Sequence, residues 1–266
     1  MITGQRKQLR ELGRLSVLIA EDHEINRVLI RKIIESWGFA VSIAENGMEV
    51  LQKLEQEHFD LILMDIQMPE MDGIAATRSI RSLKNPVKSS IPIIAVTANI
   101  QPGAREAYET AGMNTCISKP LNEPELLNII YMLLRSKSGN LPETTEEISK
   151  PVKAEKLYDL SLIRSLSGGD EVFVKKMIDL FIETMPDSMD KLKNSIINKD
   201  WKQVANTAHK MKSTIDAMAI TSIKEDIRMV ENNSRQMTGL EKTPALAENI
   251  CTTLNEVMIE LRKNLN

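Results

Sequence analysis

Residues 58–73, HFDLILMDIQMPEMDG, place a single carboxylate, Asp65, at the end of an apolar run, Leu61 to Met64, where burial should give way to solvent. Other apolar runs end in a similar way. SVLIA runs into Glu21 and Asp22, IPIIAVT ends on Thr97, and TCIS is followed by Lys119 and Pro120. If these runs are parallel strands, their carboxyl ends share one edge, which is where open α/β sheets bind ligands. Three carboxylates, a hydroxyl and an ammonium would then converge. Crowded carboxylates repel, and without a counter-charge at least one would hold a proton. A divalent cation relieves that conflict. All-oxygen ligation with no suitable His or Cys, and with room for water and a phosphoryl oxygen, favours Mg2+ over calcium. Asp65, ionised at pH 7 from a reference pKa of about 4, could attack phosphorus without a general base. The metal and Lys119 would neutralise charge on the transferring group, and the Thr97 hydroxyl would hydrogen-bond a phosphoryl oxygen. Taken singly, an acidic pair after a strand is a helix cap, a Thr is a turn and a Lys-Pro is a solvated loop. Their joint placement at strand ends is what points to chemistry.

A second group lies in NTAHKMKSTIDAM, residues 206–218. Trp201, Val204, Ala208, Met211, Ile215 and Met218 recur at three or four residues and form the core stripe of a helix. His209 sits roughly 100° off that stripe. Ala205 and Ser213, four residues to either side, are small enough to leave the imidazole open to a docking partner. Lys212, one turn on, would attract a phosphoryl group or an acidic cleft. His23 and His58 read as loop residues, the first beside the metal site without ligating it.

Two kinds of element must position these groups. From Leu15 to Leu134, short β-like runs (SVLIA 16–20, AVSIA 40–44, DLILMD 60–65, IPIIAVT 91–97, TCIS 115–118) alternate with segments of helical spacing, such as Ile25, Val28, Leu29 and Ile33. Continuous apolar strands separated by helices imply a five-stranded, doubly wound parallel sheet covered on both faces. Residues 136–154, SKSGNLPETTEEISKPVKA, lose all periodicity and read as a linker. Flexible, it would reach roughly 24 Å. Beyond it only helical patterns remain: from Asp159, from Asp170, over 200–218, from Thr221 and from Thr243 onward. These predict an antiparallel four-helix bundle. Pro186 should break or kink the second of them. The division is thus an N-terminal segment 1–14, an α/β domain 15–135, the linker, and an all-α domain 155–266.

The bulk composition bounds the rest. Of 266 residues, 42% are hydrophobic and 27% charged, as in ordinary globular proteins. The formal net charge of −3 lacks the basic excess of a nucleic-acid or anionic-membrane binder. Cys116 and Cys251 read as reduced core thiols rather than a disulfide framework. No apolar run approaches a membrane span, and the opening MITGQRKQLRELGR has no apolar signal core. A cytoplasmic location follows, and the cytoplasmic part of a membrane sensor would read the same.

EDHEIN, DLILMDIQMPEMDG, AVTA and SKP together resemble the receiver domain of two-component response regulators, a flavodoxin-like fold, over roughly residues 15–135. The resemblance implies that Asp65 is the phosphoacceptor, that Glu21 and Asp22 hold Mg2+ with a backbone carbonyl near Gln67, and that Thr97 and Lys119 read the phosphoryl group. It further implies that Gln67 and Asn99 tune phosphate lifetime. Cys116 stands where similar domains often carry an aromatic switch residue. AHKMKS resembles the phosphohistidine motif of histidine phosphotransfer domains, with Ser213 where Gly is common. A receiver followed by such a bundle is similar to the carboxyl end of hybrid sensor histidine kinases. The implied function is a phosphorelay intermediate, with a sensor histidine kinase as phosphodonor, a downstream response-regulator receiver as partner, and neither nucleic acid nor direct membrane contact. No Gly-rich ATP-binding segment is present to make the chain a kinase by itself. Two rivals are an aspartate-nucleophile phosphatase, which would want an acid at Gln67, and a non-catalytic scaffold, which would not need the acids.

Overall fold

A computed structural model describes residues 3–97, 103–135 and 157–264, which fall into two compact units, Met1–Lys150 and Pro151–Asn266. In the first unit, strands β1 (Ser16–Ala20), β2 (Ala40–Ala44), β3 (Leu61–Asp65), β4 (Ile93–Thr97) and β5 (Thr115–Ser118) form one parallel sheet in the order β2-β1-β3-β4-β5. Strands buried on both faces need apolar side chains in both directions, and every residue of LILMD is buried. Leu18, Ala20, Ile62, Met64, Ile93 and Ala95 face one core together with Val50, Leu54, Ala76, Ile80, Tyr108 and Cys116. Alternate residues such as Val17, Ile19, Leu63 and Val96, also buried, take the opposite face.

Helices α1 (Thr3–Leu12), α2 (Glu24–Ser36), α3 (Gly47–Gln56), α4 (Gly73–Arg81), α5 (Pro86–Ser89), α6 (Ala104–Ala111) and α7 (Glu123–Arg135) complete this unit. Two predicted strands begin later than their apolar runs. Asp60 stands outside β3, where its carboxylate accepts from the Ser16 N–H at 2.8 Å, and Pro92 has no N–H to lengthen β4. The N-terminal segment 1–14, for which the sequence pattern predicted no element, forms α1 and packs on α7: Gln8 donates to Asn128 at 3.2 Å, and the Tyr131 hydroxyl donates to Glu11.

The second unit contains α8 (Ser161–Leu166), α9 (Glu171–Ile197), α10 (Trp201–Ala217), α11 (Lys224–Gln236) and α12 (Thr243–Asn264). Helices α9 to α12 pack in a ring, each against its neighbours in sequence and α12 back on α9, as a four-helix bundle does. The first helix begins at Ser161 rather than at Asp159, whose carboxylate accepts from the Ser161 N–H at 2.8 Å. Thr221–Ile223 is a 3-10 turn leading into α11. Pro186 does not break α9, which is helical from Glu171 to Ile197. Phe181, Met185, Met189 and Leu192 bury one continuous stripe across it, and that packing outweighs the intrinsic cost of about 3 kcal/mol for an interior proline. The α10 stripe holds beyond its first residue: Val204, Ala208, Met211, Ile215 and Met218 are buried, and Trp201, at the helix start, is half-buried. Cys116 and Cys251 are free and buried, and burial pushes both thiols up. Among the described residues no helix is long and apolar enough to cross a membrane.

Candidate functional site: an acidic sheet edge and a carboxylate-bound histidine

The sheet register determines which side chains share the edge. Ala20 pairs with Met64 and Asp65 with Val96, so Glu21, Asp65 and Thr97 are the residues at which β1, β3 and β4 run out. The Glu21 N–H extends the ladder to Ala44 O at 3.0 Å, and Thr97 pairs with Ser118, the residue before Lys119. Carboxylate oxygens of Glu21, Asp22 and Asp65 lie within 4.8 Å of one another. Glu21 and Asp65 are buried, with 1% and 2% exposure, and Asp22 is half-buried.

Lys119 closes the cluster. Its Nζ stands 2.7 Å from Asp65 Oδ2 and 2.6 Å from Glu21 Oε2. Burial works against the ammonium charge, but Asp65 and then Glu21 outweigh it and push the amine above its ordinary value. The second Glu21 oxygen accepts from Asn26 Nδ2 at 2.9 Å and from the His23 N–H at 3.3 Å. Asp65 Oδ1 accepts from the Gln67 N–H at 3.2 Å. The Lys119 N–H donates to Thr97 O at 2.7 Å, and the Lys119–Pro120 peptide is cis. Lys119 offsets one of three negative charges, so the donor set suits a hard divalent cation, which would bring the excess into balance.

The structure therefore brings together Glu21, Asp22, Asp65 and Lys119, and sets Thr97 at the same edge. Asn99 lies outside the described residues, as does the predicted linker. Cys116 pairs with Ala95 in the core cluster rather than at the edge. Sequence reading missed two local supports. Gly73, at the start of α4, has no room for a side chain: a Cβ there would collide with the main-chain oxygen of Asp65. Arg27, in the first turn of α2, donates through Nη1 to Glu21 O at 3.2 Å and Asp22 O at 2.8 Å, while Nη2 meets Glu45 at 3.2 Å.

In the second unit His209 is less open than the small residues around it suggested. Its side chain is 12% exposed, and Ala205 and Ser213 are themselves buried. Nδ1 lies 2.8 Å from Glu231 Oε1, on α11. Lys212 does not face outward for a phosphoryl group; it is buried and its ammonium bonds Glu231 Oε2. Arg235 reaches Glu231 Oε1 at 3.0 Å. The physical reason is pairing: an ammonium left buried alone is costly, and the only inward-facing acid of α11 answers it among the described residues. Burial alone would raise the Glu231 carboxyl, but His209 and then Lys212 hold it down, at about 2. An ionised carboxylate at Nδ1 favours the tautomer with its proton there and leaves Nε2 with the lone pair. Glu231 was not singled out from the sequence, since no spacing rule links residues on different helices.

Comparison with known proteins divides the chain along the same lines. The model of the response regulator receiver domain matches residues 17–131, and that of the Hpt domain matches residues 176–264. The signal transduction histidine-protein kinase BarA of Escherichia coli K12 is 28% identical over 234 residues, covering 85% of this chain and 25% of that protein. The aerobic respiration control sensor protein ArcB of the same strain is 26% identical over 255 residues, covering 96% of this chain and 31% of that protein. The sensor protein EvgS, also from that strain, is 42% identical over 175 residues, 59% of this chain and 14% of EvgS. The chain thus spans less than a third of the length of these curated relatives. Among solved structures, the receiver domain of a sensor histidine kinase from Pseudomonas aeruginosa PAO1, with a magnesium ion coordinated in its active site cleft, is 35% identical at a TM-score of 0.43, covering 47% of this chain and all of that one.

Proposed function

Because residues 17–131 belong to the response regulator receiver family and residues 176–264 to the Hpt family, we propose that this chain carries phosphoryl groups in a His–Asp phosphorelay. The observation that carries the reading is the convergence of Glu21, Asp22 and Asp65 within 4.8 Å, with the Lys119 ammonium on Asp65. We assign the receiver to residues 15–135 and the phosphotransfer bundle to 155–266.

Mg2+ would be held by Glu21, Asp22 and Asp65 with the Gln67 backbone carbonyl, and it would supply charge neutralisation at the transferring phosphoryl group. The chain's own residues do the rest. An Asp65 carboxylate oxygen attacks phosphorus on the phosphohistidine of a sensor kinase. A P–O bond forms as the P–N bond breaks, and the electron pair returns to the departing imidazole nitrogen as its lone pair. Lys119, already bound to Asp65, moves its charge toward the new phosphoryl oxygens, and the Thr97 hydroxyl donates to one of them. At His209 the exchange runs in the opposite sense. The Nε2 lone pair attacks an aspartyl phosphate on a receiver, a P–N bond forms, and the carboxylate leaves ionised. Glu231 holds the Nδ1 proton throughout and stabilises the charge that develops on the ring. By the family resemblance, Gln67 and Asn99 are the residues that set how long the acyl phosphate survives. A kinase donor draws on ATP, so we assign this exchange to the cytoplasm.

The test is labelling with acetyl phosphate, with and without Mg2+, followed by mapping of the linkage. The expected result is Mg2+-dependent label that disappears in Asp65→Asn, and label on His209, stable to base and lost in acid, when a phosphorylated receiver is supplied. Label that persists on Asp65→Asn from acetyl phosphate alone would overturn the assignment of the acceptor.

A further inference from the structure

Glu21 and Asp22 reach the sheet edge on the turn between β1 and α2, beyond the last residue of the strand. The Glu21 N–H still bonds Ala44 O, but the carbonyls of Glu21 and Asp22 lie beyond the strand, so the orientation of the two adjacent carboxylates depends on what holds those carbonyls. Arg27 does this. One guanidinium nitrogen takes both carbonyls, Glu21 O and Asp22 O, and the other rests on Glu45. Its side chain is only 17% exposed, and the planar fork holds the two carbonyls through one nitrogen and Glu45 through the other, a span that the single nitrogen of an ammonium cannot cover. Asn26, the residue before it, grips the Glu21 carboxylate itself and is 7% exposed. Consecutive residues of α2 thus hold the backbone and the side chain of the same acidic pair.

Resting on the reading of the acid cluster as a Mg2+ site, we propose that Arg27 is a positioning residue for that ion: it fixes the Glu21–Asp22 backbone so that both carboxylates meet Asp65, and it sets metal affinity through geometry. Its charge acts in the opposite direction. A guanidinium hydrogen-bonded to the carbonyls of two metal-binding residues repels a divalent cation, so charge and geometry predict opposite signs for its removal. If charge dominates, Arg27→Ala binds Mg2+ more tightly. If geometry dominates, the same variant binds it more weakly, as loss of a group that orients metal ligands commonly costs roughly ten- to a hundredfold in affinity. Arg27→Lys separates the two further, since it keeps the charge and loses the fork.

The measurement is calorimetric titration of the full chain with MgCl2, alongside its thermal midpoint without metal. Arg27→Ala is expected to weaken Mg2+ binding by roughly tenfold or more, and Arg27→Lys to weaken it as well. Glu45→Gln is expected to leave it nearly unchanged, because Glu45 is 56% exposed and an exposed pair contributes little. Binding by a folded Arg27→Ala or Arg27→Lys chain that equals or exceeds wild type overturns the proposal, and so does a fall in thermal midpoint with no change in affinity, which marks a purely structural arginine. Should Arg27→Ala fail to fold, the lysine variant decides alone. Absence of Mg2+ binding by the wild-type chain would instead defeat the parent reading of the acid cluster.

Discussion

Replacing Glu231 with glutamine tests whether one carboxylate holds the histidine face of the bundle together. The native carboxyl is held from its ordinary 4.5 to about 2: burial opposes its charge, and His209 and Lys212 more than compensate. At about 1.4 kcal/mol for each tenfold change in proton affinity, that depression corresponds to about 3 kcal/mol of folding free energy at pH 7. Solvent screening takes little from this, since the side chain is 7% exposed. A second route agrees. The variant leaves the Lys212 ammonium, 6% exposed, without its counter-ion, and breaking a buried pair from one side costs about 3 to 5 kcal/mol. Because the folded pKa lies below the unfolded one, the contribution is complete above about pH 4.5 and disappears as pH falls through about 2. The substituted amide cannot titrate, so the gap between wild type and Glu231→Gln should be full at pH 7 and close across that window. Urea unfolding of the full chain can read this through Trp201, at the start of α10, in a Trp37→Phe background that leaves it as the only tryptophan. A gap below about 1 kcal/mol at pH 7, or one that stays constant from about pH 5 to about pH 3, would refute the reasoning.

Two further substitutions probe the frame around the sites. Gly73→Ala would drive a Cβ against Asp65 O, a backbone atom that cannot rotate away, so a loss of about 2 to 3 kcal/mol is expected by thermal unfolding, with weaker Mg2+ binding beside it. Pro186→Ala restores a backbone donor inside a helix that is already continuous and should stabilise the bundle by about 1 to 3 kcal/mol in urea unfolding. A neutral or lower result there would show that the packing of α9 is shaped around the proline.

The parallel sheet was legible because its central strands β1, β3 and β4 are buried and read as nearly unbroken apolar runs, and the last residue of such a run is fixed by where apolarity stops. Asp65, Glu21, Thr97 and Lys119 could be placed for that reason alone. Arg27 could not, because the acceptors it serves are main-chain carbonyls and leave no trace in residue type. Lys212 was expected on the surface, since a lysine one turn from a histidine usually reaches water; its burial depends on Glu231, 19 residues later on another helix. The helix α1 was missed for a similar reason. Its apolar residues are few, and what stabilises it is α7, more than a hundred residues away in sequence.

That pairing of α1 with α7 bears on how the receiver should be handled in isolation. The α7 sequence EPELLNIIYMLLR is apolar on nearly every side at its carboxyl end, and a helix of that kind needs cover all round. Tyr131 and Arg135 are engaged by Glu11, which belongs to the lead-in rather than to the domain as sequence patterns delimit it. A fragment cut at Leu15 would bare that side of the helix to water, and any clumping it showed would be an artefact of the cloning boundary.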